Sequence, residues 1–356
     1  MRLHRPFLAA LAWLFCCLPL QAQTLKQLSL GSPAYNINYY SNKTITTSMP
    51  AITRVVILQH GINRDGDNAF NEANAALHNS GANIDNILLV APQFWNDADA
   101  SAGKVPSGTP YWNDEDWSLG FDSMDSRHMS SFTVIDDFVK RFADAAQFPN
   151  VTQIVVAGHS GGAQMYSRYA AFNTVHGSVR AAILVKYIIA NPGTHMYFTS
   201  DRATTSVTTG GSNFVPYTGS CAGFDTYKYG NGAYPSNFSY PHTLSGPDRF
   251  KRLATRKTYY YQGSADTVPY TSANGPDNEC GAVLSGNTRL ARGITNHHYQ
   301  DFLAAKYSVT PDNLFRRVEG VGHDAGGMWN SSCAMTALYG TAQMLNSTGA
   351  SCSDLP

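Results

Sequence analysis

The chain predicts an α/β fold in which a mostly parallel, doubly wound sheet carries helices on both faces. Two observations lead there. Continuous apolar runs alternate along the 356 residues with segments of helical periodicity, the pattern of parallel strands buried on both faces and joined by crossover helices. In addition, the run Gln153-Ile154-Val155-Val156-Ala157 leads straight into Gly158-His159-Ser160-Gly161-Gly162, and then into a helical pattern over 163–171.

The elements follow in order. Residues 35–40 alternate apolar and polar, as an antiparallel edge strand does. Residues 54–60 read as a buried strand, 70–79 as a helix, and 87–91 as a strand stopped by Pro92. Residues 132–146 place Phe132, Ile135, Phe138, Val139 and Phe142 at helical spacing. Strands are then expected over 153–157, 182–190 (stopped by Pro192), 258–262 and 314–318, with helices over 298–307 and 334–345. Neither an internal repeat nor a low-complexity linker interrupts the pattern, so residues 23–356 read as a single domain.

Two stretches break the rhythm, 93–130 and 191–256. Each follows a strand, and in a parallel sheet such loops build the ligand site. They are expected to stand over the site as a partial cap. Trp95, Tyr111, Trp112 and Trp117 are scattered through the first and are the candidates to line a substrate entrance.

The N-terminus reads as a secretory signal peptide over 1–22. Arg2 and Arg5 precede an almost uncharged apolar stretch, and Leu20-Gln21-Ala22 ends in a small residue suited to cleavage. No later segment is long and apolar enough to span a membrane, so the expected location is secreted, extracellular or periplasmic. Twenty-five Lys and Arg balance 25 Asp and Glu. No basic run could neutralise a phosphate backbone, which argues against a nucleic-acid partner. A monomer is expected. After the signal peptide four cysteines remain, Cys221, Cys280, Cys333 and Cys352. An even number in an exported chain predicts two disulfides. Of the three possible pairings, Cys221–Cys280 and Cys333–Cys352 are favoured, the second because it closes a short loop.

Strand, G-x-S-x-G and helix in succession is the setting in which a serine is thrust out of a sheet at a tight turn. A serine hydroxyl needs a base to take its proton and an acid to orient that base. His323 lies in a glycine-rich loop, Gly320-Val321-Gly322-His323, between the last expected strand and the closing helix. His297-His298 competes but falls in a helical pattern, and His159 should point away from the serine. Asp266 follows a strand end in Gly263-Ser264-Ala265-Asp266, whereas Asp248, Asp277 and Asp301 follow no buried strand. Backbone N–H groups of Gly161 and of Ile62, in His60-Gly61-Ile62-Asn63, are the candidate donors to an oxyanion. Asp65-Gly66-Asp67-Asn68 with Glu72 is too short for an EF-hand and reads as a polar turn capping a helix. No metal or cofactor is expected.

Together His60-Gly61, Gly158-His159-Ser160-Gly161-Gly162, Gly263-Ser264-Ala265-Asp266-Thr267-Val268-Pro269 and Gly322-His323 make the chain resemble the α/β-hydrolase superfamily over about residues 54–345. The resemblance implies Ser160 as nucleophile, Asp266 as orienting acid and His323 as base. The oxyanion segment lacks the His-Gly-Gly-Gly form of one esterase branch. The implied function is a secreted serine hydrolase of carboxylic esters, acting on an extracellular substrate with apolar or aromatic groups. A serine peptidase or amidase on the same fold is the alternative, favoured less because no charged cluster stands near the motifs. A non-catalytic secreted binding protein is the third.

Overall fold

The computed structural model describes residues 24–205, 208–341 and 349–356. The expected signal peptide lies outside the described residues. Strands β1 (Lys26–Leu30), β2 (Tyr35–Ser41) and β3 (Arg54–Gln59) come first, then helix α1 (Gly66–Asn79) and β4 (Ile87–Gln93). The first insertion holds the short α2 (Asp97–Ser101) and precedes α3 (Ser131–Ala143), β5 (Gln153–His159), α4 (Gly161–Phe172) and β6 (Leu184–Ala190). The second insertion carries a small ribbon, β7 (Asp201–Ala203) and β8 (Phe214–Pro216), followed by α5 (Gly246–Ala254) and β9 (Lys257–Gly263). Then come α6 (Cys280–Val283), α7 (Arg289–Tyr307), β10 (Asn313–Val318), α8 (Ala325–Trp329), α9 (Ser332–Tyr339) and β11 (Cys352–Asp354).

Among the described residues nine strands form one sheet in the order β1-β2-β4-β3-β5-β6-β9-β10-β11. The six from β4 to β10 in that order run parallel; β1–β2, β2–β4 and β10–β11 pair antiparallel. Alternate residues of the central strands enter two different cores. Val55, Ile57, Ile154 and Val156 join the α3, α4 and α5 side. Val56, Leu58, Val155 and Ala157 join the α1 and α9 side. This two-sided burial is why the strands read as unbroken apolar runs. In α3 all five periodic residues are buried, and the Ser130 hydroxyl accepts the Phe132 N–H at its start.

Several boundaries differ from expectation. The strand over 35–40 is not outermost, because β1 covers its free side. Pro92 does not stop β4: the ladder to β3 ends at Val90, and Ala91, Pro92 and Gln93 pair only with β2, so the missing N–H breaks no parallel ladder. Helix α7 starts at Arg289, since much of its inner face is polar (Arg292, Thr295, Asn296, Gln300) and shows little apolar periodicity. His297 and His298 are half-buried on it, the first stacked on Phe315 at 4.3 Å between ring centroids. Helix α9 stops at Tyr339 because Gly340 takes a left-handed φ of 91° as its C-cap.

The structure joins Cys221 to Cys280 and Cys333 to Cys352, with Cα atoms 5.8 and 6.1 Å apart. The bridges close loops of 59 and 19 residues, for which chain entropy gives about 4 and about 3 kcal/mol. Replacing each pair by serines is therefore expected to lower the unfolding free energy by about those amounts. Unmoved urea midpoints in both double variants would show that the bridges do not form.

Candidate active site

The turn from β5 into α4 is built by glycines for lack of space. A Cβ on Gly158 would lie 2.4 Å from the Gly162 carbonyl carbon, and one on Gly162 would lie 2.6 Å from the Gln59 carbonyl oxygen. Between them Ser160 takes φ +56° and ψ −117°, a left-handed φ that non-glycine residues adopt only when surroundings enforce it. Its N–H donates to the Ala190 carbonyl at 3.0 Å, which fixes the serine against the end of β6.

Two further loops meet there. Asp266 follows β9 in a turn whose Ala265 N–H donates to the Val321 carbonyl at 2.9 Å, so it is tied to the loop that carries His323. The structure brings the three predicted residues together. His323 Nδ1 lies 2.8 Å from Asp266 Oδ2, and Nε2 lies 2.9 Å from Ser160 Oγ. Asp266 accepts, so Nδ1 carries the proton and Nε2 is free to accept the serine hydroxyl proton. Asp266 is 1 % exposed, and the Arg289 guanidinium lies 3.5 Å from its Oδ1. The other aspartates are engaged elsewhere: Asp248 with Ser245 and Lys251, Asp277 with Lys228 and Tyr229. Asp324 caps α8 through the Gly327 N–H.

The backbones that carry the two candidate oxyanion donors are close, for a Cβ on Gly161 would sit 3.2 Å from the Ile62 nitrogen. Gly61 itself needs no left-handed φ, and a Cβ there would make an ordinary 3.7 Å contact with Ser160 Cβ. The smallness of Gly61, more than its flexibility, keeps the space over the serine open. His60 anchors this loop. It is fully buried, its Nε2 accepts the Phe94 N–H at 3.0 Å, and its Nδ1–H donates to the Gly61 carbonyl at 2.8 Å. Its ring packs 4.6 Å from that of Trp117. Burial pushes its pKa down to about 4. Asp65 is the N-cap position of α1, as the polar turn requires, but the Gly66 N–H goes to Gln93 Oε1 rather than to the Asp65 side chain.

Two clefts open beside Ser160. One, of about 540 Å³, is lined by Gly61, Ile62, His159, Ser160 and His323, with Asp65, Glu72 and Asp324 at its sides. The other, of about 550 Å³, is lined by Ser160, Gln164 and residues of both insertions, including Asp114, Glu115 and Asp116, with Asp277 and Glu279 from the segment after β9. Trp95, Tyr111, Trp112 and Trp117 line neither cleft. Trp112 and Trp117 are fully buried, and Trp95 Nε1 is bonded to Asn38. Trp117 packs on His60 in the loop after β3 and Trp112 on Phe94, behind the clefts, which corrects the expectation of an aromatic entrance. The acidic lining likewise overturns the expectation that no charged cluster stands near the motifs. Its carboxylates come from five separate segments, and only Asp114-Glu115-Asp116 forms a run in the sequence. His159 also departs from expectation: it lines the first cleft and faces His323 with ring centroids 4.7 Å apart. Among the described residues, no group of three or more His, Cys, Asp or Glu side chains is placed to hold a metal ion, and no helix is long and apolar enough to cross a membrane.

The parallel sheet, the strained serine between β5 and α4, and acid and histidine loops after later strands together define the architecture. The fold is that of the α/β-hydrolases. Solved structures agree. A poly(3-hydroxybutyrate) depolymerase, LpqC, from Bordetella parapertussis superimposes with a TM-score of 0.59 at 18 % identity, covering 91 % of this chain and 93 % of its own. Poly(aspartic acid) hydrolase-1 from Sphingomonas sp. KT-1 gives 0.57 at 15 %, covering 89 % and 99 %. No protein-family model matches the chain, and no curated protein matches it in sequence.

His60 makes the α/β-hydrolase frame acid-sensitive. Its folded pKa of about 4 lies below the 6.5 of a free histidine. The stability it contributes is complete above pH 6.5 and is lost as pH falls toward 4, a difference of about 3 kcal/mol for this buried group. His195, pushed down to about 3 by burial, acts in the same direction. Wild-type unfolding free energy is expected to drop between pH 7 and pH 4, and the drop should be smaller by about 3 kcal/mol in His60→Gln. Parallel profiles for the two proteins would show that His60 is not held neutral.

Proposed function

We propose that the chain is an exported serine hydrolase that cleaves carboxylic esters through an acyl-serine intermediate. The observation that carries this reading is the unbroken path from Ser160 Oγ through His323 to the buried Asp266. Ser160 Oγ attacks the carbonyl carbon while His323 Nε2 takes its proton. Asp266 holds the imidazole and offsets its charge. The Gly161 and Ile62 N–H groups receive the oxyanion, His323 returns the proton to the leaving alcohol, and water repeats the sequence on the acyl-enzyme. The polyester depolymerase named above is in keeping with ester chemistry. Export rests on the leader over 1–22 together with the two disulfides.

Mature wild type should hydrolyse p-nitrophenyl esters, with the optimum acyl length sizing the pocket, and Ser160→Ala should lose at least about 10³-fold in kcat. Hydrolysis that survives Ser160→Ala would sink the mechanism. An amidase remains the second reading, because the acidic clefts remove the argument that had favoured esters. Paired ester and anilide substrates with one acyl group separate the two.

The clefts also direct substrate charge. Of the cations lining them, Lys228 is paired with Asp277 at 2.6 Å and Arg289 with Asp266, so the remaining carboxylates set the field. Burial, reinforced by Asp114 and Asp97, raises Asp116 to about 6; burial likewise raises Glu115, Asp65 and Glu72. We expect a quaternary-ammonium ester to exceed its neutral isostere in kcat/KM by about fivefold, roughly 1 kcal/mol of Coulomb attraction. Asp116 ionises as pH rises through 6, so the preference should grow over that range and fade with salt. Equal rates for both esters in low salt at pH 8 would remove the charge preference.

A further inference from the structure

We infer that Asn191 is a positioning residue that sets the three loops of the proposed triad in register, an inference that rests on the Ser160–His323–Asp266 reading. Asn191 is fully buried and follows the last residue of β6 at φ +47°, a conformation asparagine tolerates better than most residues. Its own N–H donates to the Tyr261 carbonyl at 2.9 Å. Its side chain then reaches all three loops at once. Oδ1 accepts the Gly263 N–H at 2.7 Å, three residues before Asp266. Nδ2 donates to the Gly322 carbonyl at 3.0 Å, one residue before His323. Nδ2 also lies 3.3 Å from His159 Nε2, one residue before Ser160. One carboxamide thus ties a point beside each triad member, and no other side chain of that size offers an acceptor and two donors together.

The contact with His159 has a chemical consequence. An amide nitrogen can only donate, so His159 Nε2 must accept, and the ring is neutral with its proton on Nδ1. Burial holds His159 well below its ordinary pKa in the same sense. A neutral ring beside His323 adds no positive charge against the imidazolium that forms when the serine proton moves. Asn191 therefore fixes both where His323 stands and what it stands against.

Asn191→Gly and Asn191→Asp test this, since glycine and aspartate both accept the left-handed backbone. Glycine removes every side-chain tie. Aspartate keeps the acceptor for Gly263 but turns an acceptor toward the Gly322 carbonyl. Each would be assayed as the mature protein, shown folded by circular dichroism at the assay temperature, on p-nitrophenyl acetate and with a fluorophosphonate probe of Ser160. The expected result is a kcat lower by about 10- to 100-fold, the cost of sub-ångström misplacement. KM should stay within about threefold, with probe labelling slowed in step with kcat. Folded variants that keep kcat and labelling within about twofold would reduce Asn191 to a structural asparagine and overturn the inference. Wild type that neither labels nor hydrolyses would instead fell the triad reading, and this inference with it. If neither variant folds, the ¹⁵N shifts of His159 in wild type decide. A neutral ring protonated on Nδ1 supports the inference, and a ring protonated on Nε2 overturns it.

Discussion

Everything at the site depends on backbone lying against backbone where β5 turns into α4. Gly158 rests on Gly162 and Gly162 on the carbonyls of Gln59 and His60, at distances that leave no room for a side chain, and Gly161 lies tightly on the Ile62 nitrogen. The same contacts do three things. They surround the left-handed φ of Ser160, they bring the start of α4 against the loop after β3, and they place the Gly161 backbone close to the Ile62 nitrogen. Strain of one to three kcal/mol at such a residue persists only where packing over-determines it, and a close-packed strand pair on each side of β5 supplies that packing.

A second constraint fixes the insertions. They contain little regular structure, so their carbonyls need partners from outside. Buried arginines supply them. Arg168 on α4 donates to the Lys228 carbonyl and to Thr194 Oγ1, both at 2.9 Å, and Arg292 on α7 donates to the Gly193 and Gly286 carbonyls at 2.6 and 2.9 Å. Arg249 on α5 donates to the carbonyls of His242 and Leu244 and lies 3.7 Å over the ring of Phe172. A planar guanidinium with five donors can be buried at tolerable cost only where such acceptors surround it. Lys228, Gly193 and Asp277 line the second cleft, so its walls are anchored to helices of the main layer. Opening it would leave buried cations without acceptors.

These two constraints differ in how they appear in the sequence. The first is written locally: glycines around Ser160, β-branched residues before it and a helical pattern after it are contiguous, so the strand, the turn and the serine were legible, and Asp266 and His323 were legible from glycine-marked strand ends. The second is long-range and polar. Arg289 and Arg292 face inward on α7, which erased the apolar signal and hid the first turns of that helix. Strand β11 has three residues and gains its place from β10 and the Cys333–Cys352 bridge, neither of which leaves a periodic trace. Asn191 is the first residue of the second insertion, and nothing in Asn191-Pro192 marks its role. The carboxylates of the clefts are separated by up to 259 positions (Asp65 to Asp324), and only the fold gathers them.

The aromatic residues illustrate how composition misassigns a role. Trp112 donates to the Phe121 carbonyl at 3.0 Å and packs on Phe94 at 4.9 Å. Trp117 lies against both Phe94 and His60. The tryptophans thus stand one layer behind the reactive surface, where large rings bury the most area. By drying His60 they keep it neutral, and a neutral His60 accepts the Phe94 N–H while its Nδ1–H holds the Gly61 carbonyl. The acidic residues occupy the surface the aromatics were expected to fill. The two layers depend on pH in the same sense. Acid charges the buried imidazole and weakens the frame, while a pH above 6 completes the charge on Asp116 at the mouth. The frame and the field are therefore both intact only on the neutral-to-alkaline side.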